Sequence, residues 1–165
     1  MKNSSATFRH VNEPQTPDDK PSVGSSPKPY LTFRVARQDL AMEAACIRGI
    51  LPLTDLEPAA AGRSGLLGLT SLKGQMVSVI DLRTRLGLAH AGQGSAPKIV
   101  VLELTAGSRQ QLLGFVADRV SDVVVYRDRD LRSGALRGKG RPRKLVDFDE
   151  LVSEDELAGL CVLSP

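Results

Sequence analysis

The chain has 165 residues, 41% of them apolar and 25% charged, enough for one globular domain and a tail. With no Trp, two Tyr and four Phe, any core has to be built from Val, Leu, Ile and Ala. A formal charge of +3 is too mild to argue for nucleic acid, and no apolar run approaches the roughly 18 residues of a membrane helix.

Residues 1–29 hold five Pro and five Ser and few apolar side chains. Such a stretch cannot bury enough surface to offset its ordering entropy, so it is expected to be a disordered tail. No apolar signal core follows Met1, and the expected location is the cytoplasm. From Tyr30 the texture changes to short β-branched runs punctuated by Gly, Pro and Asp. Tyr30 to Ala36 reads as a strand and Arg37 to Asp39 as its turn. Leu40 to Ile50 is ambiguous, with Met42, Ala45, Cys46 and Ile50 near helical spacing.

Ser64 to Leu72 and Gln75 to Asp81 read as two strands around Lys73 and Gly74. Asp81 suits the N-cap of a short helix, Leu82 to Leu86, closed by Gly87. A glycine-rich loop from Ala89 to Pro97 separates the halves. The second half offers strands at Ile99 to Leu104, Gln111 to Asp118 and Val120 to Tyr126. The chain then ends with Lys144 to Asp149 and a helix from Ser153. There Ser153 and Glu156 have capping-box spacing, with Leu157 and Leu160 as the apolar face. Many short strands with few helices predict small β-barrels or a sandwich.

Catalytic chemistry finds no footing. The two histidines, His10 and His90, fall in the tail and the central loop, where packing would not hold them in a fixed geometry. There is no nucleophile elbow, phosphate loop or zinc-protease motif. Cys46 and Cys161 lie far apart without metal-ligand spacing and read as buried structural thiols. No catalytic, cofactor or metal residue is therefore expected. Residues 127–144 hold eight Lys or Arg and carry a net +6, while residues 145–165 carry −6. No aromatic interleaves the bases, so a nucleic-acid-binding β-barrel is only the alternative reading.

Two blocks decide the reading. Leu67 to Gly74 followed by Val77 to Leu82 resembles Gly-x-x-Asn-Leu-Arg-Gly and then Pro-Val-Ile-Asp-Leu-Arg, the signature of the CheW-like domain family. Leu113 to Val123 resembles the family's Gly-x-x-Val-Asp-x-Val-x-Asp-Val. Tyr30 to Val35 resembles its opening strand and Leu145 to Val152 its closing block. The resemblance implies a mainly β fold of two small SH3-like barrels sharing a hydrophobic seam, with short helices. It places the domain at 30–163, one barrel near 36–88, the other near 98–148 plus the N-terminal strand, and a C-terminal helix at 153–161. It implies a non-enzymatic chemosensory adaptor in receptor arrays at the inner face of the membrane. Its partners would be a chemoreceptor signalling tip and the regulatory domain of a CheA-type histidine kinase, with no membrane insertion of its own. The partner-binding residues carried over are Ile47, Arg48, Gly68, Ser71, Lys73, Gly74, Asp81, Gly114, Asp118 and Val120. Lys73 stands where the family has Arg, Ser71 where it has Asn, Ser78 where it has Pro and Gly49 where it has Glu. Between Val125 and Leu145 the chain is short, basic and glycine-rich where the family has another apolar strand. A strand missing there predicts weakened kinase coupling.

Overall fold

The computed structural model describes residues 26–59, 65–88, 96–132, 135–136, 142–153 and 155–157. The expectations for His10, the central-loop His90, Leu160 and Cys161 fall outside them. Strand β1 (Lys28–Val35) alternates between two buried faces: Leu31, Phe33 and Val35 on one, Tyr30 and Thr32 on the other. It starts at Lys28, so the last two residues of the expected tail are strand, with Pro29 opposite Val125. Strand β2 (Gln38–Glu43) returns antiparallel, from Val35 opposite Gln38 to Tyr30 opposite Glu43.

The expected turn at Arg37 to Asp39 is corrected: it closes at Ala36–Arg37, and Gln38 and Asp39 already pair in β2. Ala36 takes φ 57°, an uncommon value for a residue with a Cβ. Its N–H donates to Asp118 Oδ2 at 2.6 Å, a tertiary bond that local propensity does not report. The ambiguous stretch from Leu40 to Ile50 is the end of β2, a 3-10 turn (Ala44–Cys46) and strand β3 (Ile47–Pro52). Its apparent helical spacing arises because the chain changes sheets there.

The remaining strands are β4 (Glu57–Pro58), β5 (Leu66–Leu72), β6 (Gln75–Ile80), β7 (Lys98–Ala106), β8 (Arg109–Ala117) and β9 (Arg119–Tyr126). Three short ones follow: β10 (Leu131–Arg132), β11 (Ala135–Leu136) and β12 (Arg143–Leu145). One six-stranded sheet runs β10-β11-β12-β2-β1-β9 and the other β3-β7-β8-β6-β5-β4. The sheets therefore cut across the spans 36–88 and 98–148, because β7 and β8 pair with β3 and β6.

The missing strand is also corrected. β10, β11 and β12 continue the first sheet, β12 pairing parallel with β2. Leu131 and Leu145 turn inward while Lys144 stays exposed, so strands of two or three residues are hidden inside a basic sequence.

Each sheet wraps its own interior: Tyr30, Ala41 and Tyr126 in the first, Val77, Val79, Ile99 and Val101 in the second. Between them lies the largest cluster, in which Leu31, Phe33 and Leu40 meet Val100, Leu102 and Phe115. The fold is thus mainly β, two small SH3-like barrels sharing one apolar seam. Helix α1 (Leu82–Leu86) follows the second sheet, with Leu82 buried on the seam. Helix α2 (Phe148–Leu151) was not expected; Asp147 caps it, and Phe148 closes the seam from the other side. The Ser153 capping box is present: the Glu156 N–H donates to Ser153 Oγ at 3.1 Å and the Ser153 N–H to Glu156 Oε2 at 3.3 Å.

Candidate partner-docking surface

Lys73 and Gly74 form the two-residue turn between β5 and β6, with Leu72 opposite Gln75. Their φ values of 50° and 83° make a turn whose twist matches the flanking strands. Nothing lies within 4 Å of where a Gly74 Cβ would stand, so glycine is needed there for its backbone angle alone. Lys73 is exposed and enters no ion pair among the described residues. Ser71 is exposed beside it.

The turn has a neighbour. Leu72 lies over Gly49, where an added Cβ would come within 3.0 Å of Leu72 Cδ1. This brings β3 alongside, with exposed Arg48 and Ile50, the latter 44% accessible. Arg48 pairs with Glu103 on β7 and donates to the Ala45 carbonyl at 2.9 Å, which fixes its reach. Ile47 is half-buried against the seam.

The other carried-over residues work inside the molecule. Gly68 is buried where β4 crosses β5, and a Cβ there would stand 2.1 Å from the Glu57 carbonyl oxygen. Gly68→Ala should therefore lower stability by about 1–3 kcal/mol, read from the urea midpoint at constant m. Gly114 is buried in β8, with Ile99 and Val79 side chains 3.2 Å from a hypothetical Cβ. Asp81 is the N-cap of α1, its Oδ1 accepting from the Arg83 N–H and its Oδ2 from Thr84 Oγ1, both at 3.0 Å. Asp118 is 5% exposed; Oδ2 takes the Ala36 N–H and Oδ1 pairs with the Arg83 guanidinium. Val120 is half-buried on the seam.

Arg83 went unnoticed in the sequence, although the signature that Val77 to Leu82 resembles ends in Arg at its position. Joined to Asp118, it fastens α1 of one sheet to the hairpin turn of the other. Cys46 is not fully buried as expected. It is half-buried at the rim of a cleft of about 520 Å³ between the sheets, floored by Met42, Leu104 and Phe148. Desolvation pushes its thiol above the ordinary range, and the thiol donates to the Glu43 carbonyl at 3.2 Å. Among the described residues, no three or more His, Cys, Asp or Glu are placed to hold a metal ion.

The model of the CheW-like domain matches residues 29–153. A chemotaxis protein CheW from Rhizobium meliloti is 25% identical over 140 residues, covering 76% of this chain and 88% of that one. A chemotaxis protein CheW from Klebsiella aerogenes is 27% identical over 143 residues, covering 78% and 84%. In three dimensions the chain is similar to the scaffolding protein TtCheW from Thermoanaerobacter tengcongensis. The TM-score is 0.66 at 16% identity, over 79% of this chain and 97% of that one. No helix among the described residues is long and apolar enough to cross a membrane. With the match running through both sheets, the chain belongs to the CheW-like domain family, and the relatives named above are chemotaxis proteins.

Proposed function

We propose that the chain is a non-enzymatic adaptor that couples chemoreceptor signalling tips to the regulatory domain of a CheA-type histidine kinase, in the cytoplasm at the inner face of the membrane. The observation that carries this reading is the exposed Lys73 on a two-residue turn, a cation with no ion pair among the described residues. Arg48, Ile50, Ser71 and Lys73 form the contact surface, while Gly68, Asp81, Gly114 and Asp118 hold it in shape. The cation suits a carboxylate on the partner, although an ammonium lacks the bidentate fork of Arg.

The ground for expecting weakened kinase coupling was a missing strand. With β10 to β12 continuing the first sheet, that ground falls away, and the proposed adaptor holds both partners. The basic stretch also has work inside the fold: Arg143 donates to the Tyr126 hydroxyl at 3.2 Å beside the interior of the first sheet.

The test measures binding of the purified protein to a receptor signalling fragment and to the kinase regulatory domain separately, at matched salt. Lys73→Glu should weaken one of the two at least tenfold, about 1.4 kcal/mol. It should change stability by less than about 1 kcal/mol. Lys73→Arg should retain or tighten binding. Unchanged affinity for both partners in Lys73→Glu would remove the turn from the contact surface.

A further inference from the structure

We propose that residues 2–12 of this chain's own N-terminal tail dock in the cleft between the two sheets, with Phe8 as the anchor and Lys2 and Arg9 as the charges. The cleft holds about 520 Å³, within the roughly 300–1,000 Å³ of a ligand pocket. Its floor is apolar: Met42, Leu104, Val146, Phe148, Val152 and Leu157. Its rim is acidic, with Glu43, Glu103, Asp147 and Asp149 and no Lys or Arg among the lining residues. An occupant must therefore bring an apolar side chain and positive charge together.

The negative rim survives its neighbours. Lys28 pairs with Glu43 and Arg48 with Glu103. Asp147 and Asp149 enter no ion pair among the described residues. Outside the lining, exposed Glu150 and Asp155 are matched in number by exposed Lys144 and Arg109, so the two unpaired carboxylates stand uncompensated. The Cys46 thiol at the rim feels the same field. Burial raises its pKa first, and the Glu43 and Asp149 charges raise it further, against its own hydrogen bond and Arg48.

Composition and entry point select the occupant. Residues 2–12 hold Ala6, Phe8 and Val11, with Lys2 and Arg9 and no carboxylate. Residues 13–27 hold Glu13, Asp18 and Asp19 against Lys20 and would be repelled. The tail enters the fold at the cleft itself: Lys28, where β1 begins, lies 3.5 Å from Glu43 on the rim. From there to Phe8 is about 20 residues, and a chain of that length reaches roughly 25 Å. Tethering gives an effective concentration of about a millimolar, so a weak contact keeps the cleft filled. A tail that builds no core of its own can still order on a ready surface. Two other segments answer only half of the requirement: residues 137–141 are basic without an apolar anchor, and residues 158–163 are apolar without charge. The docked segment shields Cys46 and keeps other basic, apolar segments out. The inference rests on the cleft and the tail and is independent of the identity of the adaptor's partners.

The experiment uses the full chain and reads the rate of iodoacetamide alkylation at Cys46 from the mass of its peptide. Phe8→Ala should speed the reaction at least about fivefold, the change expected when a segment docked four-fifths of the time is released. Arg9→Glu should speed it in the same direction, and Arg9→Lys should leave it unchanged, because charge rather than shape is required. By NMR, the Phe8 ring should show cross-relaxation with the methyls of Met42 and Leu157. Several outcomes overturn the proposal: an unchanged Cys46 rate in Phe8→Ala, equal rates in Arg9→Glu and Arg9→Lys, or cross-relaxation of those methyls with Leu160 or Val162 in place of Phe8. Protection that falls on dilution would assign the cleft to the tail of a second copy and overturn it too.

Discussion

Asp118→Ala should lower the unfolding free energy by about 3–5 kcal/mol, the cost of breaking a buried ion pair by removing one of its members. Asp118 and Arg83 have side-chain accessibilities of 7% and 15%, so little water is available to either charge. Removing the carboxylate leaves a guanidinium inside the joint and frees the Ala36 N–H, which Asp118 Oδ2 holds in the turn. Ala36 then keeps its uncommon φ of 57° without the bond that holds it there. Replacing both charges, Asp118→Leu with Arg83→Met, should recover a large part of the loss, because a buried pair contributes little beyond an apolar pair of its own shape. Guanidinium-chloride unfolding of the single and double variants gives the comparison. A single-variant loss under about 1 kcal/mol would show the pair to be solvated and the joint held by the seam alone.

Phe115→Ala should cost a similar about 3–5 kcal/mol through the lost transfer energy and the cavity left behind. Phe115 is fully buried, and its ring centroid lies 5.1 Å from that of Phe33 and 5.1 Å from that of Phe148. Those three rings come from β8, β1 and α2, so one side chain touches both sheets and the helix that closes the seam. The unfolding midpoint should fall while the transition stays single and coincident by circular dichroism and by amide exchange. Two separated transitions in the variant would mean that each sheet is stable on its own interior cluster and that the seam does not join them.

What the sequence disclosed follows from how local each signal is. The Asp81 cap, the Gly87 stop at φ 67° and the Ser153 capping box are each complete within a few residues, and each stands as read. The Lys73–Gly74 turn was legible for the same reason. The stretch from Leu40 to Ile50 was not, because its burial is set by a crossing between sheets rather than by a period of its own. β10 to β12 were missed because strands of two or three residues leave no alternation to count. The Arg83–Asp118 pair spans 35 positions, and neither residue carries a local sign of the other. Among the residues taken over from the resemblance, Arg48, Ser71 and Lys73 are on the surface, and Gly68, Gly114 and Asp118 are buried in the architecture beneath.

The proposed adaptor holds a receptor tip and a kinase regulatory domain together on one molecule. The direct measurement is co-sedimentation of the kinase with receptor-bearing vesicles, with the protein added in increasing amounts at fixed salt. Kinase recovery in the pellet should rise with added protein to a plateau, and Lys73→Glu should require at least tenfold more protein to reach it. Kinase recovery that stays at its background level at every concentration, with the protein itself bound to the vesicles or to the kinase alone, would contradict the adaptor reading.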